Sequence, residues 1–156
     1  VNDNPTAEEL AEITLLAARE VNRFGITPSV ALLSRSSFGS AQVASAQKMR
    51  DALELVKQRQ PELDIEGEMR ADQALSAAIR GRDFPDSNLK ANANVLVMPG
   101  LQSANLSAKL LRELAGDATI GPMMIGMEKP VQIAPMTAIA PDVLTLAVLA
   151  SAGVVG

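Results

Sequence analysis

The sequence contains no cysteine, histidine, tryptophan or tyrosine. Without cysteine there is no disulfide, no thiolate zinc site and no thiol nucleophile. Without histidine the usual general base and the commonest metal ligand are absent. Aromatic content is limited to Phe24, Phe38 and Phe84, and the net formal charge is −4. Neither a stacking platform nor a basic stripe is available, which excludes nucleic acid as a partner. No apolar run reaches the ~20 residues of a bilayer span, so no membrane partner is expected.

What remains is a chain of 156 residues, 47% hydrophobic and 21% charged, long enough for one domain with a real core. It opens at Val1 with no charged-then-apolar leader. The expectation is a fragment or processed piece of a longer parent, without a signal peptide and cytoplasmic.

The organising stretch runs from Ala93 to Asn105. Val95 to Met98 is a short apolar run that stops at Pro99-Gly100. Leu106, Leu110, Leu111 and Leu114 then recur at helical spacing. This predicts a buried strand, a tight turn and a helix. Ligands of open α/β sheets sit past the carboxyl ends of strands, so Pro99 to Asn105 is either a ligand site or an ordinary connection.

Taken in order, Thr6 and Glu9 form a capping-box pattern that opens a helix with Leu10, Ile13, Ala17, Val21 and Phe24 on its apolar face, stopped by Gly25. Val30 to Leu33 predicts a second buried strand. It ends in Ser34-Arg35-Ser36-Ser37-Phe38-Gly39-Ser40, where hydroxyls, a glycine and an arginine suit either a plain turn or an anion site. A helix over about Ser45 to Gln60 buries Met49, Ala52, Leu53 and Val56, and Pro61 ends it. Leu63 to Met69 alternates like a half-exposed edge strand, with Asp64, Glu66 and Glu68 on its water-facing side. A metal site built from those three acids needs ligands converging from several elements, so they are read as solvated and no metal is expected.

Ala71 to Arg80 predicts a short helix with Leu75 and Ile79 inward, followed by a loop from Gly81 to Ala93. Ile120 to Gly126 and Val131 to Ile133 read as short strands, and Leu144 to Val155 as a buried helix. Pro141 suits the first helical position and places Asp142 in the first turn, where a negative charge is favoured. The alternation of helices and strands gives an α/β, three-layer sandwich with a mainly parallel sheet.

Five stretches carry a resemblance: Ala31 to Ser34, Glu66 to Met69, Ala93 to Pro99, Ala104 to Leu106, and Gly121 to Val131. In that order they resemble the phosphate acetyl/butyryltransferase family over nearly the whole chain. With Ser36-Ser37-Phe38-Gly39-Ser40 in the first loop, the chain is more similar to the C-terminal domain of large bacterial NADP-dependent malic enzymes than to free-standing phosphate acetyltransferases.

The resemblance implies a phosphotransacetylase-like lobe of the isocitrate/isopropylmalate-dehydrogenase kind over residues 1–124, with 125–156 returning to a second lobe that is mostly absent. It implies a cleft where coenzyme A meets acetyl phosphate, lined here by Ser34, Ser36, Ser37, Gly39, Asn105, Pro135, Met136 and Asp142. The active family carries a Ser-Arg pair at the positions of Pro135 and Met136, and an aspartate at Asp142 is thought to deprotonate the coenzyme A thiol. Only the acid is retained. Losing one preorganised electrostatic group costs ~10²–10³ in rate, so no catalytic residue is expected.

Two functions follow from the resemblance. One is a regulatory and oligomerisation domain of an NADP-dependent malic enzyme, with acetyl-CoA or a related acyl-CoA as effector and no cofactor in this domain. NADP and the divalent metal belong to the parent alone, and the partners are a further copy of the chain and the parent's N-terminal malic-enzyme domain. The alternative is an active phosphate acetyltransferase.

Overall fold

The computed structural model describes residues 2–115, 121–134 and 136–152. The chain divides into two units, Val1–Lys109 and Leu110–Gly156.

The first unit runs α1 (Ala7–Arg23), β1 (Ser29–Leu33), α2 (Ala44–Arg59), β2 (Asp64–Met69), α3 (Ala71–Leu75), α4 (Ala77–Asp83) and β3 (Val95–Val97), after which α5 (Leu101–Ala115) begins. The strands form one parallel sheet in the order β2-β1-β3. Val30 pairs with Ile65 on one side and Val95 on the other. The two buried strands predicted from Val30 to Leu33 and from Val95 to Met98 are parallel neighbours, and β1 is central. β3 is an edge among the described strands rather than interior, although Val95 and Val97 are buried.

Alternation along the strands divides the core between the two faces. Val30, Leu32, Ile65, Val95 and Val97 meet Leu10, Ala11 and Ala18 of α1 and Met49, Ala52 and Val56 of α2. Ala31, Leu33 and Met69 meet Ala74 of α3 together with Leu89 and Ala93. Helices therefore cover both faces, which is the three-layer α/β arrangement expected.

The capping box that opens α1 is formed: the Glu9 N–H donates to Thr6 Oγ1 at 3.2 Å and the Thr6 N–H to the Glu9 carboxylate at 2.7 Å. Its buried face is rotated from the predicted one. Leu10, Ala11, Thr14 and Ala18 are inside, while Ile13 and Phe24 are exposed. Small residues let α1 approach α2 closely, and the Thr14 hydroxyl is satisfied by donating to the Leu10 carbonyl at 2.6 Å.

The single helix predicted over Ala71 to Arg80 is two, broken at Ser76, whose hydroxyl caps α4 by accepting the Ile79 N–H. The break turns Leu75 outward and Arg80 inward. The Arg80 guanidinium donates to the carbonyls of Gln73 (2.8 Å), Leu89 (3.1 Å) and Ala91 (2.8 Å), fastening the loop before β3.

In the second unit the strands expected at Ile120 to Gly126 and Val131 to Ile133 are a single antiparallel bridge between Met123 and Gln132, and Ile120 lies outside the described residues. The helix expected at Leu144 to Val155 is α6 (Ala140–Ala152), with residues 153–156 outside the described range. It is not buried: Val143, Leu144 and Val148 are exposed and Leu146 is covered. The leucines at helical spacing fall in α5 as expected, and Leu106, Leu110, Leu111 and Leu114 are all exposed, the last at 83%.

Candidate functional site

Because β1 lies between β2 and β3, with the β1-to-β2 connection (α2) on one face and the β2-to-β3 connection (α3) on the other, the strand order reverses between β1 and β3. Ligands of open α/β sheets favour the carboxyl ends at such a point. Two segments stand there in the first unit: the Ser34–Ser40 loop after β1 and the Pro99-Gly100 turn after β3.

The loop is tied to the end of β2. The Ser34 N–H donates to the Met69 carbonyl at 2.9 Å and the Phe38 N–H to the Glu68 carbonyl at 2.8 Å. Phe38 (φ 48°) and Gly39 (φ 84°) are both left-handed. Ser36 and Ser37 are buried, and their hydroxyls point into the protein. Ser36 donates to Glu68 Oε1 at 3.0 Å, the Gly39 N–H reaches the same oxygen at 3.2 Å, and Ser37 donates to Gln73 Oε1. The Ser34 hydroxyl lies 3.3 Å from that of Ser36, and Arg35 is exposed.

The three acids of β2 are not solvated as the alternation predicts. Glu68 is 0% exposed and its Oε1 also accepts Arg50 Nη1 at 2.9 Å. Glu66, also buried, accepts the Ser87 hydroxyl and the N–H groups of Asn88 (3.1 Å) and Leu89 (3.2 Å). Asp64 accepts the Ser29 hydroxyl at 2.8 Å and the Lys90 N–H at 3.2 Å. Loops fold over the strand edge and consume the carboxylates as hydrogen-bond acceptors. Among the described residues no group of three metal-ligating side chains converges.

Asn105 sits inside α5 and is exposed, not in a turn. The turn itself is covered by the chain's beginning. The Leu101 N–H donates to the Asp3 carbonyl at 3.1 Å, and Lys48 Nζ bridges Asn4 Oδ1 (2.7 Å) and the Pro99 carbonyl (2.9 Å). The sequence does not single out Lys48 or Arg50, and it marks Glu68 only as a candidate metal ligand. The available signal was Gly67 within a strand pattern, which marks a close backbone approach.

A ring contact joins the loop to α4's end: Phe38 and Phe84 have centroids 4.4 Å apart and help line a cleft of about 380 Å³ with Glu66, Pro85 and Ser87. A larger cleft, about 570 Å³, opens at the opposite end of the sheet beside Arg19, Asp64, Lys90 and Asn94. There α1 and α2 end, and the basic residues suit the helix dipoles.

Near α3, Asp72 is held below the usual carboxylate range by the hydrogen bond from Arg70, whose own pKa is raised by that bond. Asp83 is lowered by hydrogen bonds from Arg82 and Gln73.

In the second unit Asp142 is in the first turn of α6, where Oδ2 accepts the Ile139 N–H at 2.9 Å. That is a helix-capping role. Met136 is fully exposed, and Pro135 lies outside the described residues.

The family profile of the phosphate acetyl/butaryl transferases matches residues 1–151. The chain belongs to the phosphate acetyl/butyryl transferase family. Within it, the chain is 57% identical over 134 residues to the NADP-dependent malic enzyme of Escherichia coli, covering 85% of this chain and 18% of that protein. It is 35% identical to the phosphate acetyltransferase of Bacillus subtilis over 97% of this chain and 47% of that one. A phosphotransacetylase from Streptococcus pyogenes superposes with a TM-score of 0.92 at 36% identity, covering 97% of this chain and 46% of that chain. The chain thus spans about a fifth of the malic enzymes it matches and under half of the transferases.

Proposed function

We propose that the chain is the phosphotransacetylase-like region of an NADP-dependent malic enzyme, serving as a regulatory and oligomerisation domain that senses acetyl-CoA or a related acyl-CoA and transfers no acetyl group itself. The observation that carries this is the 57% identity to a malic enzyme, joined to Pro135 and Met136 standing where the resemblance places a serine and an arginine. Transfer requires stabilisation specific to the transition state, whereas binding can rest on apolar contacts without it. Met136 supplies no cation. Asp142 is engaged as a cap of α6, a role that needs no chemistry.

Self-association is proposed on the exposed leucines of α5 and the exposed apolar residues of α6. The parent's malate oxidation, its NADP and its divalent metal are assigned to the part of that protein outside this chain, and the location to the cytoplasm.

The likeness to working phosphate acetyltransferases supports a second reading, an active transferase moving acetyl between acetyl phosphate and coenzyme A. A coupled assay of acetyl-CoA formation by the full-length protein separates the two. No transfer is expected. Brisk transfer replaces the regulatory reading with the enzymatic one. The double variant Pro135→Ser with Met136→Arg sharpens the test, because any gain of transfer would mark Asp142 as a retained base.

A further inference from the structure

We propose that Ser36, the Gly39 amide and Arg50 form an anion cradle whose resident ligand is the chain's own Glu68 carboxylate. This internal anion positions the Ser34–Ser40 loop and keeps the cradle closed to small carboxylates from outside.

Three donors of different kinds converge on one oxygen. Glu68 Oε1 accepts the Ser36 hydroxyl at 3.0 Å, the Gly39 backbone N–H at 3.2 Å and Arg50 Nη1 at 2.9 Å. Hydroxyl, main-chain amide and guanidinium are the groups that recognise a carboxylate or phosphate on a ligand. Here the anion is covalently part of the protein and fully buried. Its other oxygen, Oε2, is buried and has no hydrogen-bond partner. The carboxylate is therefore placed to satisfy the loop rather than itself.

The backbone gives independent support. Phe38 adopts φ 48° and Gly39 φ 84°, and for phenylalanine that conformation persists only where its surroundings impose it. Residue 68 imposes it twice: its carbonyl takes the Phe38 N–H and its carboxylate takes the Gly39 N–H. A β-bulge delivers Glu68 to that spot. Leu32 pairs with Gly67 and Leu33 with Met69, so Glu68 is skipped in the ladder and its side chain turns toward the loop.

The consequence for ligands is specific. While Glu68 is in place, a phosphate or carboxylate entering beside the loop gains no donor from Ser36 or Gly39. The inference bears on the acyl-CoA reading, because with the Ser36 hydroxyl and the Gly39 N–H engaged by Glu68 an acyl-CoA phosphate is met by other groups.

The test uses the full-length protein and limited trypsin digestion mapped by mass spectrometry. Cleavage after Arg35, exposed within the loop, is compared with cleavage after Lys90, exposed in a loop held by Glu66 instead. The ratio reports loop position and cancels global opening. Glu68→Gln is expected to raise it about tenfold or more, the scale of losing hydrogen bonds to a charged group. Arg50→Gln, which leaves Glu68 in place, is expected to raise it in the same direction. An unchanged ratio in both variants overturns the proposal. In Glu68→Ala, titration with formate is expected to return the ratio toward the wild-type value, with no effect on the wild type. Formate acting no better than chloride in that variant contradicts the cradle. Should Glu68→Ala not fold, the ratio in Glu68→Gln and Arg50→Gln decides alone.

Discussion

Gly67 lies hard against Leu32 of the central strand: a Cβ at position 67 would stand 2.7 Å from the Leu32 carbonyl oxygen and 2.8 Å from its Cβ. The backbone there, at φ 156°, also favours glycine. The contact lets β2 approach β1 closely where the ladder bulges, and the bulge aims Glu68 at the first loop. Gly67→Ala is expected to destabilise the protein by at least about 3 kcal/mol, because neither strand can yield without losing core contacts. Urea unfolding measures it, and near-wild-type stability would show that the approach is not required.

Arg80 carries the second prediction. Its guanidinium serves three main-chain carbonyls from a buried position and holds the loop that leads into β3. Arg80→Met keeps much of the packing but leaves those acceptors without their donor, at a cost of about 2–4 kcal/mol. Faster amide exchange at Leu89 and Ala93 than at Val30 would locate the damage. Uniform loosening of all three would argue that Arg80 does not act on the loop.

Much of the fold was legible in the sequence because it rests on patterns that decide locally. Val30 to Leu33 and Val95 to Met98 are short apolar runs between breakers, and only a buried strand accommodates them. Thr6 and Glu9 announced the start of α1. The site was less legible. Alternation in Asp64-Ile65-Glu66-Gly67-Glu68 states that the acids share a face and is silent on what covers that face. The donors that cover it come from Ser36, Gly39, Arg50 and Asn88, at sequence separations of 18 to 32 residues. The leucine spacing in α5 likewise gave a helix but is silent on whether anything covers its apolar face.

Acid response follows from the α3 region. Hydrogen bonding holds Asp72 and Asp83 below the ordinary carboxylate range, so their contribution is present above that range and is lost as pH falls through their lowered folded-state values. Both are exposed to screening, so the effect is small and salt-sensitive. Asp83→Asn is expected to lower stability at neutral pH, with the difference from wild type closing under strongly acidic conditions. A difference that grows with acidity would give the linkage the opposite sign.

The exposed α5 leucines make a prediction about assembly. Leu110→Ser with Leu114→Ser is expected to change unfolding stability by no more than about 1 kcal/mol, since the side chains are exposed. Sedimentation of the full-length protein should nonetheless shift toward smaller species. An unchanged sedimentation profile would remove α5 from the interface.

We propose that the chain senses acyl-CoA within a malate-oxidising parent. Malate-dependent NADP reduction by the full-length protein, followed as acetyl-CoA is titrated, tests it most directly. An effector can shift activity only through differential affinity for two arrangements of the protein. A saturable change in rate is expected; a rate that stays constant through the titration would end the sensing reading.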